Sequence, residues 1–339
     1  MTAPPAEGAR VAWSAVPGPV RAGIERICGS PVVRAKSQPG GFSPGVAARL
    51  ECADGTRTFV KAVSDAANPQ TPDMHRGEAR VLRALDPVIA RRELPIPRLR
   101  GMLEADHWTA LILEDVDGRQ PALPWQPAEL ADVLTAADQL ADALTPSPIE
   151  ARSLADQFGD DFTGWRTLAA GPDRRRIDSW SLAHLDELVE LERQWPEHAA
   201  GDTLLHADIR ADNVLITGDR VIFVDWPHAC IGAAFVDVML LAPSVAMQGG
   251  PQPDELLAMT RTGRAANREA VAAVVCAMAG YLTERALRPP PAGIPTVRAF
   301  QAGRARSRAA GSPVSSDPGH ARAGTPGYVD VGGARSCRR

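Results

Sequence analysis

Two acidic residues and one asparagine lie close together in the middle of the chain and form its clearest chemical motif. Asp208 and Asn213 lie in a polar loop between the apolar residues of 204–216, and Asp225 ends a second apolar run that begins at residue 221. This alternation predicts a strand, a loop and a small hairpin, which would bring the three side chains to one end of the hairpin. Two carboxylates and an amide oxygen, beside the basic Arg210, suit a hard divalent cation and a polyphosphate.

The spacing of these residues resembles the catalytic loop of the protein-kinase fold. The order His-x-Asp-x-x-x-x-Asn begins at His206, and the resemblance implies that Asp208 is the base and Asn213 a metal ligand. Asp225 stands where that fold carries its second metal-binding acid, but Trp226 follows it instead of Phe. With Ala after the His and Trp after the Asp, the sequence is more similar to the aminoglycoside phosphotransferase family than to protein kinases.

This resemblance implies an α+β, two-lobed, protein-kinase-like fold. Its N-lobe would be a small antiparallel β-sheet with one main helix, and its larger C-lobe would be mostly helical. We expect a flexible lead-in over residues 1–20, a nucleotide-binding N-lobe over 21–117 and a helical C-lobe with the catalytic loop and acceptor site over 118–300. Residues 301–339 are rich in Gly, Ser, Pro, Arg and Ala without periodicity, which predicts a disordered tail.

Lys61 lies in a predicted strand over residues 56–63. Strand alternation places it on one face with Phe59 and Val63, an unusual position for a cation without anionic partners. The resemblance implies that Lys61 holds the α- and β-phosphates of ATP and that Glu78, on a following helix, pairs with it. A surface lysine and an ordinary helix-surface acid are the open alternatives.

A glycine-rich turn precedes that strand and contains Gly40, Gly41, Ser43 and Gly45. Glycines let backbone N–H groups approach phosphate oxygens closely, and the resemblance implies that this turn binds ATP. The pattern is not Gly-x-Gly-x-x-Gly, Pro44 removes one donor, and a plain hairpin loop fits equally well. The same residues match the nucleophile elbow of hydrolases, but that motif requires a following helix, whereas a strand is predicted here.

The remaining residues of the central stretch receive their roles from the resemblance. Arg210, two residues after the predicted base, would contact the γ-phosphate as a second catalytic residue. His206 would order the loop by hydrogen bonding, and Asp212 is most simply a turn acid. Asp237, in a buried helix predicted over 234–243, would bond the backbone of the catalytic loop.

Composition limits the class of protein. The 339 residues carry a net charge of −4, which gives no general attraction to nucleic acid. Five scattered cysteines without a Cys-x-x-Cys pair predict reduced thiols in a cytoplasmic protein, with neither disulfides nor zinc. The start of the chain has no apolar signal segment, and the apolar run over 270–279 is too short to cross a bilayer. We therefore expect no membrane partner and a monomer.

The function that these residues predict is ATP- and Mg²⁺-dependent phosphorylation of a hydroxyl group on a small molecule. The acceptor would be aminoglycoside-like or another amino alcohol or sugar, bound by the helices over 127–195 and 235–300. Acidic residues such as Asp156, Asp160 and Asp161 could meet a polyamine or serve as helix caps. Two alternatives stay open: a catalytically inactive, nucleotide-binding pseudokinase, and an iron site built on His206 and Asp208.

Overall fold

One antiparallel sheet forms the N-lobe. The computed structural model describes residues 10–42, 45–66, 69, 71–291 and 293–309. The strands are β1 (Val32–Ser37), β2 (Val46–Cys52), β3 (Arg57–Ser64), β4 (Leu99–Ala105) and β5 (Trp108–Glu114). They lie in the order β1-β2-β3-β5-β4, and every neighbouring pair is antiparallel. Alternation in β3 buries Val60 and Ala62 in the core and turns Phe59 and Lys61 to a cavity on the other face.

Two helices cover this sheet. Helix α1 (Gly18–Cys28) buries Val20 and Ile24, one turn apart, against the outer face of the sheet and ends at Gly29, whose φ of +82° suits glycine. Helix α2 (Thr71–Arg92) packs on β4 and β5 from the other side. It carries Glu78 to the inner end of the cleft between the lobes.

The second lobe is mostly helical. Its helices are α3 (Pro127–Ala143), α4 (Leu154–Phe158), α5 (Gly164–Ala170), α6 (Ser179–Ala183), α7 (Leu185–His198), α8 (Val236–Met247), α9 (Pro253–Met259), α10 (Arg261–Ala265), α11 (Arg268–Leu287) and α12 (Val297–Ala309). Two short antiparallel pairs frame residues 206–213: β6 (Thr203–Leu205) with β9 (Cys230–Gly232), and β7 (Val214–Ile216) with β8 (Val221–Phe223). The predicted central hairpin is therefore present as β7 and β8.

A continuous apolar core extends from α2 of the N-lobe into the helical lobe. It includes Leu82 and Leu85 of α2 and the fully buried Phe223, Trp195 and Trp226. Because the central hairpin is part of this core, the loop that it carries rests on a rigid, close-packed support.

Both ends of the chain differ from the sequence prediction. The lead-in predicted over residues 1–20 is structured from residue 10 onward. Val16 is buried beneath the sheet, and α1 already begins at Gly18. Residues 301–309, which were predicted as the start of a disordered tail, are helical and complete α12, where Phe300 and Gln301 are buried. Residues 1–9 and 310–339 lie outside the described part.

Two helical predictions also need correction. The leucine periodicity of residues 179–195 predicts one helix, but the structure divides this segment into α6 and α7, with His184 between them. The apolar run over 270–279 belongs to the 20-residue helix α11, which by length and composition could cross a membrane. In this structure α11 packs against α5, α7, α8 and α12, and half of its apolar stretch is buried within the lobe.

Candidate active site

Lys61 lies in the cleft between the lobes and contacts one carboxylate from each lobe. Its Nζ is 2.9 Å from both carboxylate oxygens of Glu78 and 2.7 Å from Oδ1 of Asp225, which follows β8. The side chain of Glu78 is 1 % exposed and that of Lys61 is 13 % exposed. Charges so far removed from water are tolerated only when they are paired. The structure places Lys61 beside Glu78, as the resemblance implies, and adds Asp225 as a second partner.

These charges shift one another's pKa values. Burial disfavours a charged Lys61, but Asp225 and Glu78 outweigh it and raise the pKa of Lys61. Burial raises the pKa of Glu78, against the opposing effect of Lys61. Burial also disfavours a charged Asp225, but Lys61 and Arg210 outweigh it and hold the pKa of that carboxyl well below its usual range. At neutral pH the site therefore presents a fixed cation beside a fixed anion.

Two side chains of the catalytic loop hold Asp208. Arg210 donates from Nη1 to Oδ1 of Asp208. Asn213 donates from Nδ2 to the Asp208 carbonyl at 2.9 Å and to its Oδ2 at 3.2 Å. Arg210 also forms a bidentate pair with Asp212, at 3.0 Å from Nε and 2.8 Å from Nη2. Arg210 thus bridges two carboxylates, and its contact with a γ-phosphate stays a prediction.

His206 and Asp237 fix the backbone of this loop. His206 is fully buried; its Nε2 lies 3.0 Å from the carbonyl of Val224, and its Nδ1 accepts from the N–H of Asp208 at 3.2 Å. Asp237 accepts from the N–H groups of His206 and Ala207, at 3.0 and 2.7 Å. The second bond holds Ala207 at a φ of +60°, a strained value for this residue. These contacts confirm the predicted structural roles of His206 and Asp237, and they leave His206 no nitrogen for an iron ion.

Trp226 fixes the turn that presents Asp225. Asp225 has a φ of +72°, which costs about 1–3 kcal/mol unless its surroundings hold it. The buried Trp226 donates from its backbone N–H to Oε1 of Glu78 at 3.3 Å and from its indole to the Phe223 carbonyl at 2.9 Å. The aromatic residue after the acid therefore anchors the turn to both lobes.

The glycine-rich segment borders the same cavity. Gly40 and Gly41 line the cavity, and Gly41 has a φ of +90°. Gly45 has a φ of +108°, and a Cβ there would lie 2.4 Å from the carbonyl oxygen of Ala62. Only glycine fits at that point, since both the backbone angle and the space exclude a side chain. Ser43, which we predicted as a nucleotide-binding residue, lies outside the described residues.

Arg10 holds this segment from the N-terminal side, a role that the sequence analysis missed. Its guanidinium donates to the carbonyls of Gln38 at 3.0 Å, of Gly40, and of Gly41 at 3.3 Å. Burial lowers the pKa of Arg10, and Asp225 opposes this effect. The lone arginine follows a Pro/Ala-rich start and gives no local signal of a partner thirty residues away.

Phe42 connects the glycine-rich segment to the other lobe. Its ring centroid lies 5.1 Å from that of Phe300 in α12, with the rings nearly perpendicular. The guanidinium carbon of Arg210 lies 5.5 Å from the centre of the same ring, which is close enough for a cation–π contact. The segment therefore reaches across the cleft to the catalytic loop.

One cavity of about 330 Å³ lies between the lobes. Of the residues described above, Arg10, Lys61, Asp212, Asn213 and Asp225 line it, whereas Glu78, Asp208 and Arg210 do not. Leu113, Glu114 and Val116, where β5 leaves the sheet, also line this cavity. A cleft of this size with a few polar groups is typical of a small-ligand site.

The donors in this cavity fit a partly protein-bound Mg²⁺ ion. Within the described ranges, no three His, Cys, Asp or Glu side chains form a metal site by themselves. Asn213 turns its Nδ2 to Asp208, which leaves its amide oxygen as the atom for a cation. Mg²⁺ commonly takes one or two protein oxygens and completes its shell with water and phosphate, so Asn213 and Asp225 are a sufficient set.

Known structures share this fold. An aminoglycoside phosphotransferase from Alicyclobacillus acidocaldarius superposes with a TM-score of 0.52 at 16% identity, covering 82% of this chain and 90% of that chain. A choline kinase from Streptococcus pneumoniae superposes with a TM-score of 0.54 at 10% identity, covering 86% of this chain and 97% of that chain. An amicoumacin kinase in complex with AMP-PNP and Ca²⁺ superposes with a TM-score of 0.51 at 10% identity, covering 81% of this chain and 88% of that chain. At such identities the likeness establishes the fold alone, and it confirms the predicted kinase-like architecture. A search of curated proteins found no significant match.

The sequence itself matches one protein family. The profile of the phosphotransferase enzyme family aligns with residues 37–274, which is more than half of the chain. The aligned region contains β2 and β3, helix α2 with Glu78, the loop with Asp208, and Asp237. The family resemblance that was first seen in the catalytic loop thus extends over both lobes, and the chain belongs to the phosphotransferase enzyme family.

Proposed function

We propose that this protein transfers the γ-phosphate of ATP to a hydroxyl group of a small molecule. The observation that carries this proposal is the bond of Lys61 to both Glu78 and Asp225, in a cleft bordered by Asn213, whose Nδ2 bonds to the Asp208 carboxylate. This arrangement offers a cation for the phosphates, oxygen ligands for a metal and a carboxylate for the acceptor. Phosphoryl transfer needs little else, because its catalysis is mainly positioning and electrostatic stabilisation.

In this mechanism Asp208 orients the acceptor hydroxyl and takes its proton. The hydroxyl oxygen forms a bond to the γ-phosphorus while the bond from that phosphorus to the β–γ bridging oxygen breaks, which gives ADP and a phosphorylated acceptor. Arg210 and Asn213 keep the Asp208 carboxylate in place, and Lys61 holds the α- and β-phosphates. Asn213 and Asp225 would hold Mg²⁺, which when bound offsets the charge on the phosphate oxygens.

The acceptor is proposed only as a hydroxylated small molecule, an amino alcohol, an aminoglycoside or a sugar. Two of the three acidic residues predicted near α4 have partners within the protein, which leaves the exposed Asp160 as the remaining acid for a polyamine. Asp156 interacts with the capping residue Ser153, and Asp161 forms an ion pair with Arg285. A cytoplasmic location and a monomeric state remain part of the proposal.

The test is acceptor-stimulated ADP release with Mg²⁺, measured for the wild type and three variants over a panel of hydroxylated amines and sugars. We expect D208A to lose a factor of about 10²–10⁴ in turnover while it still binds ATP, since it removes only the base. D225A should lose both binding and turnover. D219A, in the exposed β7–β8 turn, is the matched control and should behave as wild type.

Three results would contradict the proposal. A wild type that binds no nucleotide would exclude a kinase, and full turnover in D208A would exclude the assigned base. Nucleotide binding without turnover on any acceptor would support the inactive pseudokinase instead.

A further inference from the structure

His75 is buried in the wall of the nucleotide cavity without a partner among the described residues. It lies on α2 one helical turn before Glu78, so the two side chains leave the helix on the same face. It is 4 % exposed and lines the cavity together with Lys61 and Asp225. Neither ring nitrogen has a hydrogen-bond partner in the described part of the chain. The backbone of Thr109 lies beside the ring without reaching hydrogen-bond geometry.

A buried imidazole without partners is unusual. Buried polar side chains are nearly always hydrogen-bonded, and an unsatisfied one destabilises the fold. An apolar residue of similar size would carry no such unsatisfied group. A ligand that enters the cavity and bonds to the ring would account for a histidine at this position.

The place of His75 in the cavity indicates which part of the ligand it meets. Lys61 pairs with Leu111 in the sheet, so Leu113 and Val116 lie further along β5 from Lys61. Lys61 and Asp225 are the charged groups that act on the His75 ring. His75 lies one turn from Glu78, the partner of Lys61, and therefore belongs to the end where phosphates would bind.

The protonation state of His75 suits a phosphate oxygen. Burial, with a further contribution from Lys61, lowers the pKa of His75 to about 4. The ring is therefore neutral at pH 7 and offers one N–H donor. A hydrogen bond from such a donor to a charged acceptor is stronger than one between neutral groups.

We propose that His75 is a further nucleotide-binding residue, which donates a ring N–H to a phosphate oxygen of ATP beside Lys61. This inference rests on the proposed function, because it requires that the cavity binds a nucleotide. It adds a neutral donor on α2 to the ligands of the phosphates, next to the charged donor on β3.

The experiment compares the dissociation constants of Mg²⁺–ATP and of adenosine, measured by titration calorimetry on the full chain. H75L removes both ring nitrogens, and H75N keeps an N–H donor. We expect H75L to weaken ATP binding by about tenfold, the effect of one lost hydrogen bond to a charged group, and to leave adenosine binding unchanged. H75N should recover most of the affinity. H107N, at an exposed histidine whose φ of +64° asparagine tolerates, is the matched control.

The thermal midpoint of H75L gives a second, independent measurement. If the ring has no partner in the free protein, H75L should melt at or above the wild-type temperature, since an unsatisfied buried group is gone. A variant that is unfolded or clearly less stable would show a structural histidine and overturn the inference.

The binding data separate this inference from the proposed function. Wild-type ATP affinity in H75L, or an equal loss for ATP and adenosine, overturns the role of His75 alone. A wild type that binds no ATP overturns both. A loss confined to ATP, with H107N unaffected, supports both.

Discussion

Replacing Lys61 with methionine tests the charge balance that holds the cleft together. Methionine keeps most of the side-chain length but leaves Glu78 and Asp225 without the cation that bonds to both. Removing one partner of a buried ion pair typically costs about 3–5 kcal/mol. Glu78, which is 1 % exposed, should bear most of this cost, because Asp225 is 28 % exposed and still has Arg210 nearby. We expect the free energy of unfolding to fall by about 3 kcal/mol at pH 8.

This loss should depend on pH. Burial already raises the pKa of Glu78, and removing Lys61 raises it further, because Lys61 is the group that opposes the shift. A carboxyl with a raised pKa in the folded state is tolerated better when protonated. The destabilisation is therefore complete above the folded-state pKa and disappears as the pH falls towards the unfolded value of about 4.3. K61M should thus approach wild-type stability at pH 5.

Urea unfolding followed by tryptophan fluorescence at pH 5 and pH 8 measures both effects. A loss of about 3 kcal/mol would lower the thermal midpoint by about 6–12 °C in a domain of about 150–250 residues, and by less in this larger chain. K36M, at the only other lysine in the chain and an exposed one on β1, should change stability by about 0.5 kcal/mol or less. A wild-type stability of K61M at pH 8, or a loss that does not vary with pH, would refute the assignment of a buried charge to Glu78.

Three further predictions concern the loop, the glycine-rich segment and the metal. D237N is expected to reduce turnover by about tenfold or more with little change in ATP affinity. The reason is that one of the two carboxylate oxygens that accept from the catalytic loop is lost, which loosens the loop. Unchanged turnover in steady-state kinetics would contradict this. G45A should destabilise by about 1–3 kcal/mol or more in urea unfolding. G55A, also at positive φ but in open space, should cost less, and equal losses would contradict the predicted clash. EDTA should weaken ATP binding in calorimetry, whereas equal affinity with and without it would exclude a metal-bound nucleotide.

The catalytic loop could be predicted from the sequence because its chemistry is local. About twenty residues separate His206 from Asp225, and the short hairpin between Asn213 and Asp225 decides which side chains meet. The surroundings of Lys61 could be predicted only in part from the local sequence. Strand alternation gives the face on which a side chain lies, but it does not show that Glu78 opposes it seventeen residues later.

Contacts between distant segments could not be predicted in this way. Nothing in the spacing of residues relates Phe42 to Phe300, which meet only because α12 packs beside the cleft. The helical part of residues 301–309 was missed because the composition of 301–339 was judged as a whole. Residues 301–309 include alanines and arginines, which favour helix, and the buried Phe300 anchors them. The partner of Arg210 was missed for a different reason, since a turn acid gives no sign of which side chain it will bind.

The hydrogen-bonded side chains around the catalytic loop carry more negative than positive charge. Two cations and four carboxylates take part. Lys61 pairs with Glu78 and Asp225, and Arg210 pairs with Asp208 and Asp212. Each cation bridges two carboxylates, so these six side chains carry two negative charges in excess when all are ionised. Arg10 and Arg304 reduce this excess through their attraction to Asp225 and Asp208. A free nucleotide would add like charge at close range, which is unfavourable in a cleft shielded from water. A divalent cation held by the oxygens of Asn213 and Asp225, as proposed above, would lessen that repulsion. The ion pairs of the free protein therefore favour a metal-bound nucleotide over a free one, independently of any motif in the sequence.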